Sequence, residues 1–167
     1  MKFIQFCARA YRGFVKAASC LQSPLLLLLR IYFGWQLAQN GWGKLHNLYG
    51  EEGVIEYFRS LGIPFPSLNA HFIGCLECGG GVLLMLGLAT RPLALAFVIS
   101  MSVAYYTADN EALHLFWKDP DKFMAAAPFP ILYTALVLLA FGAGVFSLDW
   151  LIGKFVGKKL LAHPARP

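Results

Sequence analysis

Four apolar runs constrain this chain more than any other feature: residues 24–43, 69–88, 92–108 and 129–147. About 20 residues of helix cross the hydrocarbon core of a bilayer, and about 17 is the lower limit. Lipid offers no hydrogen bonds to a peptide group, so a crossing chain must satisfy its backbone internally. Runs without strand alternation do so as helices. Composition agrees, with 58% of residues hydrophobic and 14% charged, against about 25% charged in a soluble domain. The expected fold is therefore all-α: an integral membrane four-helix bundle with amphipathic interfacial helices. Its expected parts are an amphipathic interfacial leader over residues 1–23, a four-span membrane domain over 24–149 and a basic tail over 150–167.

The basic residues orient this bundle. Lys2, Arg9, Arg12 and Lys16 precede the first run, Arg91 joins the second to the third, and Lys154, Lys158, Lys159 and Arg166 follow the fourth. The other side carries only Lys44, Arg59, Lys118 and Lys122. The positive-inside rule puts both termini in the cytoplasm. The net charge of +5 is thus a topology signal, and no basic patch interleaved with surface aromatics points to nucleic acid. In the leader, the four basic residues share one helical face, opposite Phe3, Cys7, Ala10, Phe14 and Leu21. That pattern predicts a helix on the inner surface, drawn to anionic membrane lipid. Pro24 is the expected first residue of span one.

Two ionisable residues fall deep within apolar runs: Arg30 in the first and Glu77 in the second. Each costs about 2.5–3.5 kcal/mol to insert at mid-membrane, so each calls for a partner. Arg30, Gly34, Leu37, Gly41 and Lys44 recur by threes and fours on one face, and Ala70, Gly74, Glu77 and Gly81 on another. Faces of small residues pack closely. The expectation is that Arg30 meets Glu77, their Cα atoms differing in depth by about 7–8 Å. Arg30 and Glu77 are the candidate catalytic pair, with Lys44, Met101 and Tyr105 as candidate substrate-binding residues. Val54, Ile55, Phe58 and Leu61 predict a short amphipathic helix over about Glu51 to Leu61, either a lid on the outer mouth or an interfacial tie.

Cys75 and Cys78 form a C-x-x-C pattern and are candidate redox thiols. Small apolar packing residues are the competing reading, since Cys75 points about 200° away from Glu77. His46, His71 and His114 lack metal-ligand spacing, so no metal is expected. No haem, flavin or iron–sulfur motif is present, and no protein-bound cofactor is expected.

Taken in order, several short pieces resemble the DoxX family of small four-span bacterial membrane proteins, over about Leu25 to Asp149. They are Arg30, then Gly41-Trp42-Gly43-Lys44, then Leu61-Gly62-Ile63-Pro64, then Glu77 followed by glycines. Gly87-Leu88-Ala89-Thr90-Arg91, Met101 with Ala104, Gly142-x-Gly144 and Ser147-Leu148-Asp149 complete the series. The resemblance implies a multi-pass protein of the bacterial inner (cytoplasmic) membrane. The family includes the membrane subunit of thiosulfate:quinone oxidoreductase, members linked to thiol-redox partners, and members that accompany the biosynthesis of metal-responsive modified peptides.

Two functions follow as expectations. The first is a quinone-linked redox subunit, an oxidoreductase with quinone as substrate, in which Arg30 hydrogen-bonds a quinone carbonyl and Glu77 moves the proton. The second is a non-catalytic membrane module that docks a soluble or membrane redox partner, or a metal-peptide-maturation partner, with Arg30–Glu77 as a helix-packing pair. A homo-oligomer is compatible with either.

Overall fold

The structure is a computed structural model that describes residues 2–161, with side chains described for residues 5–7 and 9–155. Every regular element among these residues is a helix: α1 (Lys2–His46), α2 (Val54–Ser60), α3 (Pro66–Leu86), α4 (Thr90–Thr107), α5 (Asn110–His114), α6 (Pro120–Ala125), α7 (Phe129–Phe141) and α8 (Leu148–Leu161). By length and composition two of them, over Gln5–His46 and Pro66–Leu86, are long and apolar enough to cross a membrane, and Phe129–Phe141 is a shorter apolar helix.

Glycines decide how the two long helices meet. α1 buries Leu26, Arg30, Gly34, Leu37 and Gly41, and α3 buries Ala70, Gly74, Glu77, Gly81 and Leu84. Both stripes recur by threes and fours, as one face of a helix requires. At Gly41 an added methyl would collide with the backbone nitrogen of Cys78 and the carbonyl oxygen of Gly74; at Gly81 it would collide with the Gly34 carbonyl and the Ala38 nitrogen. The helices are therefore in backbone contact, antiparallel, with Gly41 opposite Gly74–Cys78 and Gly34 opposite Gly81–Met85. α4 packs on α7, and Leu26, Leu37, Leu84, Ala94, Phe97, Ala135 and Leu138 form one core cluster shared by α1, α3, α4 and α7.

The turn joining α3 to α4 is held from below by the chain after α7. Gly87 and Ala89 both have positive φ, +68° and +52°. The Asp149 carboxylate accepts hydrogen bonds from the backbone N–H groups of Ala89 (2.8 Å) and Thr90 (2.9 Å), and its own N–H donates to the Gly87 carbonyl. A carboxylate at the first turn of α4 also complements the helix dipole. Ser147 Oγ accepts from the Trp150 N–H and caps the start of α8.

Four expectations change. The leader and first span are one helix, α1, running unbroken through Pro24. Proline removes its own N–H from the ladder and its ring crowds the carbonyl four residues back, yet the helix continues on both sides of it. At 45 residues and 1.5 Å per residue α1 is about 68 Å long, roughly twice a hydrocarbon core. The turn between α3 and α4 is Gly87–Ala89, with Thr90, Arg91 and Pro92 already in the first turn of α4, so Arg91 is not in the connection. The fourth apolar run is helical only to Phe141, because Gly142 at φ +76° takes the chain out of the helix. Most consequentially, Arg30 does not meet Glu77. The glycine register sets Arg30 beside Gly87, ten residues along α3 from Glu77, or roughly 15 Å of helix. Among the expected basic residues, the side chains of Lys2, Lys158 and Lys159, and all of Arg166, lie outside those described.

Candidate functional site

α3 and α4 touch near their shared turn, where the Phe97 ring and Leu93 fill the space left by Gly80. Beyond that contact they diverge toward the end of the bundle that carries α2, α5 and α6. The space between them is a cavity of about 600 Å³. α2 roofs it with Val54, Tyr57, Phe58 and Leu61, as the lid reading anticipated. Its flanks are apolar, and several of the residues there, Phe72 on α3 and Ile99 and Val103 on α4, are themselves exposed at the edge of the bundle. The cavity is therefore a side slot between two helices, with a volume in the range of small-molecule sites.

One ion pair stands in this apolar wall. Lys44 Nζ donates to both Glu77 oxygens, at 2.6 Å to Oε1 and 2.5 Å to Oε2. Glu77 is 3% exposed and Lys44 32% exposed. A buried carboxylate needs a partner, and an ammonium has three N–H groups, so two serve Glu77 and the third is left for the cavity. Asn40, Asn69, Ser100 and Asp109 add polar groups to the same wall. None of those four was expected. Asn40 lies one turn before Lys44, so a helical wheel drawn around Lys44 points to it; Ser100 is offset by about 100° from Met101 and carries no such signal.

Among the expected site residues, Glu77, Lys44 and Met101 come together on the cavity wall. Arg30 does not: it is fully buried near the α3–α4 turn, where Nη2 donates to the Phe146 carbonyl at 2.6 Å and Nε and Nη1 have no hydrogen-bond partner. Tyr105 is 2% exposed, its hydroxyl donates to the Phe123 carbonyl at 2.7 Å, and its ring stacks on Phe123. It ties α4 to α6 and is not in the cavity wall. Cys75 and Cys78 are free thiols, Cys75 exposed on the far side of α3 and Cys78 against Gly41. Neither lines the cavity. Among the described residues no three of His, Cys, Asp and Glu are grouped as a metal site would require. His71 Nε2 lies 3.5 Å from the Tyr49 hydroxyl, away from any such group.

Comparison with known proteins places the chain. The DoxX family model matches residues 25–110. A Bacillus subtilis (strain 168) protein named "Putative oxidoreductase CatD" is 34% identical over 135 residues, covering 80% of this chain and 89% of CatD. Inner membrane protein YphA of Escherichia coli (strain K12) is 30% identical over 132 residues, 75% of this chain and 88% of YphA. An uncharacterized protein of Haemophilus influenzae is 30% identical over 135 residues, 77% of this chain and 83% of its own length. No solved structure matches. The family match spans α3, α4 and the half of α1 that carries Arg30 and Lys44, so this chain belongs to the DoxX family of membrane proteins.

Proposed function

We propose that this protein is a quinone-linked redox subunit of the bacterial inner membrane, with both termini cytoplasmic and the α2 end facing outward. The observation that carries the reading is the Lys44–Glu77 ion pair set in the wall of a largely apolar cavity between α3 and α4. A quinone is apolar over most of its surface and carries carbonyl oxygens at its ring. A slot between two membrane helices admits such a molecule from lipid. The free Lys44 N–H is a donor for a quinone carbonyl, and Glu77 is the group that takes or delivers the proton. Lys44 thus takes the role the sequence suggested for Arg30, and Arg30 holds the inner end of the bundle. The electrons are exchanged with a partner or a second substrate; the name of CatD, an oxidoreductase name, and that of YphA, an inner membrane name, support this reading.

A second reading has an observation of its own. The first half of α1 is exposed along its whole described length and carries Phe6, Tyr11, Phe14 and Leu21 beside Arg9, Arg12 and Lys16. A non-catalytic module that docks a redox or peptide-maturation partner would use such a projection, and Lys44–Glu77 would then be a packing pair.

A titration separates the two. A short-chain ubiquinone is added to the purified protein in detergent and tryptophan fluorescence is followed, with Glu77→Gln and Lys44→Met beside the wild type and Cys75→Ser as control. Saturable quenching that weakens in both charge variants and persists in Cys75→Ser is expected. Absence of saturable quenching in the wild type removes the quinone reading.

A further inference from the structure

The quinone reading leaves open which water the buried carboxylate sees. The two ends of its cavity differ sharply. Toward the inner turn the floor is shut: Phe97 packs on Gly80, and beneath it Leu37, Leu84 and Leu138 are each at most 2% exposed. The void below that floor is about 10 Å³, bounded by apolar side chains and Thr134, with room for about one water at most. No polar chain among the described residues links Glu77 to Arg30, the next buried charge along the helix pair. On the α2 side of Phe97 the wall carries polar side chains among its apolar ones. Asn69, Thr107 and Asp109 line the same cavity as Glu77, and Asp109 stands just past the end of α4.

From this asymmetry we infer that the Lys44–Glu77 pair exchanges protons with the aqueous phase on the α2 side alone, through cavity water that enters past Asp109. The inference rests on the orientation given above, which makes that side the outer one. A proton on Glu77 leaves as Glu77 becomes carboxylate, passes along cavity water, and reaches bulk at the Asp109 mouth; uptake is the reverse. The titratable groups that line the cavity with Glu77 are Lys44 on α1, Tyr57 on α2 and Asp109 after α4, and α7 contributes none among the described residues. A quinone reacting here would therefore release or take its protons at the outer face. Any water-soluble reactant would enter from the same side. Asp109 puts one negative charge at the entrance, while the charge of Lys44 is matched by Glu77, so cations are favoured over anions.

Cysteine accessibility tests this without any quinone. Ser100→Cys and Ala104→Cys, both on the cavity wall, and Thr134→Cys, below the floor, are made in the full chain with the four native cysteines replaced. Each variant is checked by its melting curve. Cationic and anionic methanethiosulfonates are applied to spheroplasts and to inside-out vesicles. Ser100→Cys and Ala104→Cys should react about tenfold faster from the outer side than from the inner, and faster with the cationic reagent. Asp109→Asn should shrink the cation preference several-fold, and Thr134→Cys should react from neither side. Reaction of the wall cysteines from the inner side, or from neither, overturns the inference, as does a cation preference indifferent to Asp109→Asn. Outer-side labelling without quinone binding would sink the function alone; quinone binding with inner-side labelling would sink this inference alone.

Discussion

The Lys44–Glu77 contact makes a quantitative prediction that the alternative pairing does not. Lys44→Met leaves the Glu77 carboxylate, 3% exposed, with no cation at 2.5 Å. Breaking a fully buried pair by removing one partner costs about 3–5 kcal/mol. Lys44 is 32% exposed, so water screens part of that, and about 2–3 kcal/mol is the expected loss. For a chain of this size that is a fall in melting temperature of roughly 5–10 °C. The double variant Lys44→Met with Glu77→Gln has no buried charge left and should recover most of the loss, giving a coupling above about 1 kcal/mol. Arg30 supplies the control. Roughly 15 Å of helix separates it from Glu77, so Arg30→Gln and Glu77→Gln should add to within about 0.5 kcal/mol. Intrinsic-fluorescence melts of all single and double variants in one detergent measure both cycles. Additive effects for Lys44 and Glu77, or strong coupling of Arg30 to Glu77, would refute the register set by the glycines.

Two further outcomes follow from the packing. Gly41→Val should abolish the folded state or leave it severely destabilised, since even a methyl collides with the backbone at Gly74 and Cys78; Gly79→Ala meets nothing within 4 Å and should be neutral or stabilising by up to about 1 kcal/mol, both read by melting and by yield of monodisperse protein. Tyr105→Phe deletes the bond to the Phe123 carbonyl and should cost about 1–2 kcal/mol, while quinone affinity stays at the wild-type value, because Tyr105 is not in the cavity wall.

The parts of this fold that were legible in the sequence are those governed by local pattern. Apolar length located α3 and α4 to within a few residues, and the recurrence of Gly34, Gly41, Gly74 and Gly81 identified the faces that meet. The short amphipathic helix that borders the cavity was legible for the same reason. The partner of Glu77 was misread because depth was counted from an assumed start at Pro24, whereas α1 passes through that residue. Register between two helices depends on where small residues let backbones touch, and the glycine pairs, taken as the ruler, bring Lys44 and not Arg30 within reach. The cavity itself was not legible. It is lined from several separate elements, α1, α2, α3, α4 and α7, a tertiary arrangement with no periodic signature. Asp149 carried no local signal of its role: that its carboxylate holds the start of α4 depends on a contact across 59 residues.

The most direct test of the central claim is photocrosslinking with an azido-quinone followed by peptide mapping. The account predicts adducts on the α3 and α4 residues that flank the slot, such as Leu76, Ser100 and Met101, displaced by excess ubiquinone and lost in Glu77→Gln. Adducts confined to the outer surface of α7 or to the inner turn near Arg30, unaffected by Glu77→Gln, would contradict it.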